Sequence, residues 1–171
     1  MDKLLLHVCC CHCAAYSIVH WAQAFTVTAF WYNPNIAPID EYHNRLNAMR
    51  TYAEIKGLEL IEMQSTELPE NTVSYPGLQR CSQCFHIRLL QTAQFAKQNA
   101  FDSFSTSLLI SPHQEHPLLR EIGEKVSKEV GITFAYEDLR QFYSKSRGIT
   151  GPLKLYRQQY CGCIAGRPTS Y

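Results

Sequence analysis

Leu4-Leu5-Leu6-His7-Val8-Cys9-Cys10 is the stretch on which the reading of this chain turns. A short apolar run that stops at paired cysteines suits a buried strand with chemistry at its end. Just downstream, Ala14, Ile18, Ala22 and Phe25 recur at helical spacing. The segment Phe25-Thr26-Val27-Thr28-Ala29-Phe30-Trp31 is rich in β-branched and aromatic residues, as strands are. Strand, helix, strand is the opening of an alternating α/β chain.

The alternation continues. Asn33-Pro34-Asn35 is a loop signal, and Asp40 is expected to cap a helix with Tyr42, Leu46, Met49 and Ala53 on one face. Gly57 ends that helix, and Leu58 to Met63 predicts a third strand. Residues 65–80 contain Pro69, Pro76 and Gly77 and are expected to form a long loop that delivers Cys81 and Cys84. The helix expected after Cys81 carries Phe85, Leu89, Ala93 and Ala96 on one face. Phe104 to Ile110 predicts another strand. Ser111-Pro112, with Gln114 three residues after the serine, has the pattern of a capping box opening a helix. Leu119, Ile122 and Val126 give that helix its apolar face, Gly131 ends it, Ile132 to Tyr136 predicts a last strand, and Asp138 can cap a short final helix.

This order predicts a doubly wound, mainly parallel sheet flanked by helices. Ligands bind such sheets at the carboxyl ends of the strands. Cys9 and Cys10, Asn33 and Ser111 each follow a predicted strand and are expected to face one crevice. The expectation for 1–171 is a single α/β domain, with a cysteine-bearing loop at 65–84 and a C-terminal Cys-x-Cys tail at 156–171.

The eight cysteines fall in three tight groups: Cys9, Cys10, Cys11 and Cys13; Cys81 and Cys84; Cys161 and Cys163. A chain of 171 residues can bury a full core without covalent staples. The start has only a short apolar run, read as neither a signal peptide nor a membrane span, so the expected location is the cytoplasm, where thiols stay reduced. Metal or redox chemistry is then the better account of such groups than structural disulfides. The net charge of +1, from 16 basic and 15 acidic residues, does not announce a nucleic-acid binder. Lys145, Arg147, Lys154, Arg157 and Arg167 nevertheless crowd the last thirty residues, as a local patch or a solvated tail.

A metal centre held by thiolates needs about four of them, converging from separate segments. Neighbouring cysteines such as Cys9 and Cys10 point in different directions and chelate one ion poorly, but each can reach a different iron of a larger cluster. This favours an iron–sulfur cluster over zinc or over buried inert thiols. Cys161-Gly162-Cys163 can close to a strained, labile disulfide and release two electrons, or supply two further ligands. His7 suits a satisfied core position. His12, among cysteines, could ligate a metal, and His20, His86 and His116 suit surface or helix-face positions.

The motifs together resemble a known family. They are His7-Val8-Cys9-Cys10-x-x-Cys13, Tyr32-Asn33-Pro34-Asn35-Ile36 with Glu41-Tyr42 and Arg45, Arg80-Cys81-x-x-Cys84, Ser111-Pro112, and Tyr156-Arg157-Gln158 with Tyr160-Cys161-Gly162-Cys163. In this order, over nearly the whole chain, they are similar to the cobalamin-independent epoxyqueuosine reductases of the QueH type. Members usually carry Ala-Pro where this chain has Cys11-His12. The resemblance implies a fold like the adenine-nucleotide hydrolases (HUP, Rossmann-like). It also implies a [4Fe-4S] cluster, with an additional iron nearby in some members. The implied reaction removes the epoxide oxygen of epoxyqueuosine at the wobble position of a tRNA with a GUN anticodon, fed by an external electron donor. By motif position, Cys9, Cys10, Cys81 and Cys84 would bind the cluster, and Cys161 and Cys163 would be the redox dithiol. The modified base would be turned out and held by aromatic and polar side chains. Tyr32, Asn33, Asn35, Tyr156, Arg157 and Gln158 are the candidates; each could equally be an ordinary turn residue. Ser111, at a helix start, could offer N–H groups to a phosphate or simply cap.

Rival readings are a zinc- or thiol-dependent tRNA-modifying or RNA-binding module without epoxide reduction, and a plain dithiol reductase. An adenylating enzyme of the same fold would need a phosphate-cradling loop after strand one, where cysteines stand instead. A dithiol reductase leaves six cysteines unexplained.

Overall fold

The computed structural model describes residues 1–63 and 77–163. Five parallel strands form one sheet: β1 (Asp2–Val8), β2 (Phe25–Trp31), β3 (Leu60–Glu62), β4 (Ser103–Thr106) and β5 (Thr133–Phe134), in the order β3-β2-β1-β4-β5. The helices are α1 (Cys11–Trp21), α2 (Ile39–Lys56), α3 (Gly77–Gln98), α4 (His116–Val130) and α5 (Tyr143–Thr150). β1 is central because its whole apolar run is buried: Leu4, Leu5 and Leu6 are each 0% exposed.

Alternate residues of β1 serve opposite faces. Leu4, Leu6 and Val8 join Ala29, Trp31 and the apolar sides of α1 and α2. Leu5 joins Phe30, Phe104 and the apolar sides of α3 and α4, including Phe85, Leu89 and Leu119. Helices therefore cover both faces, as the sequence pattern predicts. The chain leaves β1 toward β2 and later returns to β4 on its other side, so the order reverses at β1. The crevice of such a sheet opens at this point, above the carboxyl ends of β1 and β4.

Gly57 closes α2 at φ +59°, a conformation that carries no steric penalty without a Cβ. Several expected boundaries move. α2 starts at Ile39 with Pro38 at the cap, so Asp40 lies inside the first turn, where its charge suits the positive helix end. β3 and β5 are shorter than the runs 58–63 and 132–136. β4 stops at Thr106 because the Thr106 hydroxyl accepts from the Leu108 N–H (3.2 Å) and turns the chain into a 3-10 segment, Ser107–Ile110. Ser111 does not open a helix. Its hydroxyl accepts from the N–H of His113 (3.3 Å), a local turn, and α4 begins at His116 with Pro117 in its first turn. Asp138 accepts from the Arg140 N–H (3.2 Å) ahead of a 3-10 turn and α5. Residues 65–76 of the expected long loop, and Arg167 with the rest of 164–171, lie outside the described residues. Cys81 and Cys84 belong to α3, not to a loop. Among the described residues no helix is long and apolar enough to cross a membrane.

Candidate active site

Cys9 and Cys10 emerge at the carboxyl end of β1, 4% and 2% exposed. Cys10 caps α1, its sulfur accepting from the Cys13 N–H (3.4 Å). This short turn folds the group back on itself, so Cys9, Cys10 and Cys13 share one apolar cluster while Cys11 goes to the opposite face. Two residues earlier, His7 ties three elements together. Its Nδ1 meets the Thr106 hydroxyl (3.0 Å), and its Nε2 meets the Tyr32 carbonyl and Asn33 Oδ1 (both 3.2 Å). Burial and then Arg88 push its pKa down to about 3. The expected core role of His7 holds, and it fixes the platform under the cysteines.

A cavity of about 400 Å³ opens above this platform. Cys9, Cys10 and Cys13 line one side, and Gln158 and Cys161 of the C-terminal segment line another. The two ends of the chain thus meet in one hollow. Gln158 Nε2 donates to the Cys10 sulfur (2.9 Å), while its Oε1 is buried without a partner. Arg45, Arg147 and Arg157 also line the hollow, and no carboxylate does among the described residues. Ser111 lines it as a turn residue.

The tail is held there by α2. Arg45, 2% exposed, pairs with Glu41 one turn earlier (2.6 Å) and donates to the Tyr160 and Cys161 carbonyls (2.7 and 3.3 Å). The Tyr156 hydroxyl donates to the other oxygen of Glu41, and the Tyr160 hydroxyl to the Ala37 carbonyl. The Ala37 N–H in turn donates to the Gly162 carbonyl (2.9 Å). Gly162 sits at φ +109°, and a Cβ there would lie 2.9 Å from Ile36 Cγ1. Only glycine fits between Cys161 and Cys163 while the tail rests on the Asn35-Ile36 loop.

The expected substrate residues therefore divide. Arg157 and Gln158 face the cavity. Asn33 is fully buried, its amide occupied by His7 and by the Val8 carbonyl (2.9 Å). Asn35, 3% exposed, packs behind the tail. Tyr32 contributes its carbonyl to His7, and Tyr156 anchors the tail through Glu41. Glu41 and Arg45 are visible as motif residues but carry no role in the sequence, because the groups they hold, the Tyr156 hydroxyl for Glu41 and the Tyr160 and Cys161 carbonyls for Arg45, lie more than a hundred residues away. His116, expected on a helix face, is 4% exposed and bonds the Leu109 carbonyl (3.3 Å). His12 does not point its bonds toward the cysteines; its Nδ1 pairs with the Thr150 hydroxyl.

Cys81 and Cys84 stand three residues apart on α3 and so share a face. Cys81 packs on the cluster that contains Cys9, Cys10 and Cys13. Burial raises the pKa of Cys84 to about 11, opposed by Arg88 and reinforced by Cys161, Cys163 and Cys81. Burial also raises Cys81, with Cys161 and Cys163 next. Cys9 is held well above the ordinary thiol range, first by its contact with Cys10 and then by burial, against Arg88 and Arg45. All three cysteine groups thus lie within electrostatic reach around one end of the sheet.

These bare thiols favour the protonated form, and a bound metal centre would deprotonate them. Among the described residues no three His, Cys, Asp or Glu side chains gather tightly enough to hold a single ion. A cluster's thiolates bind at separate corners and stand farther apart. Arg88 supplies a second observation. It is 3% exposed, makes no salt bridge among the described residues, and its Nη1 has no hydrogen-bond partner. A buried cation beside Cys9 and Cys84 suits a group of net negative charge, and the donor set fits a thiolate-ligated iron–sulfur cluster.

Fold and site define a parallel α/β protein of Rossmann-like order with a thiol-lined hollow at its switch point. A predicted subunit of tRNA methyltransferase from Methanocaldococcus jannaschii shares that fold, with a TM-score of 0.53 over 84% of this chain and 74% of that one, at 13% identity. The sequence is more specific. The family model "Epoxyqueuosine reductase QueH" matches residues 4–168, and the chain belongs to that family. It is 51% identical to the epoxyqueuosine reductase QueH of Dehalococcoides mccartyi, over 95% of this chain and 91% of the relative. It is 33% identical to that of Thermotoga maritima, over 96% and 90%.

Proposed function

We propose that the hollow at the end of β1 is where this epoxyqueuosine reductase takes the modified base of its tRNA, in the final step of queuosine formation. What carries this reading is the meeting of Cys9 and Cys10 with Gln158 and Cys161 in one cavity. The substrate is a tRNA with a GUN anticodon carrying epoxyqueuosine at the wobble position.

Cys9, Cys10, Cys81 and Cys84 would hold a [4Fe-4S] cluster, with an additional iron nearby as in some members. When bound, such a group supplies one-electron transfer and a Lewis acid for an epoxide oxygen. The chain's own residues complete the balance. Converting an epoxide to an alkene consumes two electrons and two protons and releases water. Cys161 and Cys163 give up two electrons and two protons on closing to a disulfide, so one closure matches one turnover. An external reductant must reopen the pair. Arg45 and Gly162 keep that dithiol at the cavity edge. Gln158, with Nε2 on Cys10 and Oε1 unpaired, can accept from a hydroxyl of the substrate. Arg157 offers charge to the RNA. Tyr32, Asn33, Asn35 and Tyr156 act behind this surface, by fixing β1 and the tail.

The test is single-turnover alkene formation by the reduced, cluster-loaded protein. Cys161→Ser should lower the yield at least about tenfold while iron and sulfide content stay unchanged. Undiminished yield removes the dithiol from the reaction.

A further inference from the structure

A second hollow, of about 440 Å³, adjoins the first. His12, Thr150, Lys154 and Leu155 line it, and Arg147 and Arg157 line both hollows. Arg147, Lys154 and Arg157 are exposed, and among the described residues they make no ion pair and no carboxylate lines the hollow. Three unpaired cations around one concavity repel one another unless an anion lies between them. His12 belongs to the same wall. It is 7% exposed and lines this hollow, yet its Nε2 has no hydrogen-bond partner. The wall is also firmly built. Ser146 accepts from the Tyr16 N–H (3.0 Å) and donates to the His12 carbonyl, and the Thr150 hydroxyl meets His12 Nδ1, so α5 is clamped onto α1.

We propose that this second hollow binds a backbone phosphodiester of the RNA strand next to the base that enters the cysteine cavity. The inference rests on the reading of the first hollow as the base site. A base turned out of a strand stays joined to phosphates on both sides, and the shared walls of Arg147 and Arg157 lead directly from one hollow to the other. The net charge of +1 hides this site because its cations are balanced by acidic residues elsewhere. Of the three cations, Lys154 lines the second hollow without lining the first, which makes it the clean probe.

The experiment uses the cluster-loaded protein and a synthetic anticodon stem-loop RNA carrying epoxyqueuosine. Affinity is measured over a series of salt concentrations, and single-turnover conversion is measured at saturating RNA. Lys154→Gln should weaken binding roughly three- to fivefold at moderate salt and make the slope of log K against log salt shallower by about 0.7 to 0.9, the loss of one phosphate contact. Lys154→Glu should weaken binding further, Lys125→Gln should have no effect, and conversion at saturation should stay within about twofold of the unaltered protein. An unchanged affinity and salt slope in Lys154→Gln and Lys154→Glu overturns the phosphate site. Failure of the unaltered protein to convert the epoxide instead overturns the reading of the first hollow, and the salt slopes still decide the second.

Discussion

The cysteines at the two ends of the chain reach the same cavity by different means. Cys9 and Cys10 are fixed by the sheet: β1 is paired on both sides, to β2 and to β4, and Cys10 caps α1. Among the described residues, Cys161 and Cys163 lie in no helix or strand and are held by one guanidinium, one glycine and a few carbonyl contacts. The scaffold for the proposed metal centre and the proposed electron-carrying arm are therefore anchored separately. Each should be breakable without the other.

The largest effect is expected on the sheet side. Cys84→Ser removes one of the four thiolates of the proposed cluster site. Visible charge-transfer absorption, iron content and alkene formation should all fall to background, while the fold persists, because Cys84 is half-buried at the start of a 22-residue helix. Full iron content in this variant would break the comparison by taking α3 out of the metal site.

The arm should fail differently. Arg45→Met strands the buried Glu41 and the Tyr160 and Cys161 carbonyls. Removing one partner of a buried pair costs about 3–5 kcal/mol, and here the tail can relieve much of it by undocking. Turnover should drop about 10- to 100-fold while iron and sulfide content stay near normal. Exchange of the Ala37 amide, which donates to the Gly162 carbonyl, should accelerate. Parallel loss of iron would show that the two anchors are one unit.

The same contrast explains what could be read from the sequence. β1 and β2 were legible because buried parallel strands are continuous apolar runs, and here those runs end at cysteine and at Tyr32-Asn33. β3 and β5 came out short because they lie at the sheet's edges, where fewer neighbours extend the pairing. Ser111 misled because its hydroxyl has two local uses, a helix cap or a tight turn, and the turn took it. Cys81 and Cys84 were legible as a pair, but their helix starts at Gly77, earlier than their spacing could indicate. The docking of the tail was hidden for another reason. Arg45 reaches backbone carbonyls 115 and 116 residues away, and a carbonyl carries no residue identity for a sequence pattern to mark.

A smaller effect sharpens the sheet side alone. Tyr32 O and Asn33 Oδ1 can only accept, and Asn33 Nδ2 is already given to Val8, so His7 Nε2 carries the proton and Nδ1 accepts from Thr106. Protonating Nδ1 would destroy that last bond and place a cation near Arg88. The pKa of His7 falls from 6.5 to about 3 on folding, so below pH 6.5 the unfolded chain binds a proton that the folded chain refuses. The contribution of neutral His7 is complete above that pH and is lost as pH falls from about 6.5 toward 3, by at most about 1.4 kcal/mol per pH unit. Urea unfolding between pH 7 and pH 5 should show this slope in the unaltered chain and a flatter one in His7→Gln. Acid in that range should open β1 and β4 together, since His7 joins them, while the Arg45 contacts to the Tyr160 and Cys161 carbonyls hold the tail. Amide exchange at Thr106 and Leu108 should therefore rise before exchange at Ala37, whose N–H holds the Gly162 carbonyl of the tail. The reverse order would mean that the tail, not the strand end, is the first part of the site to yield.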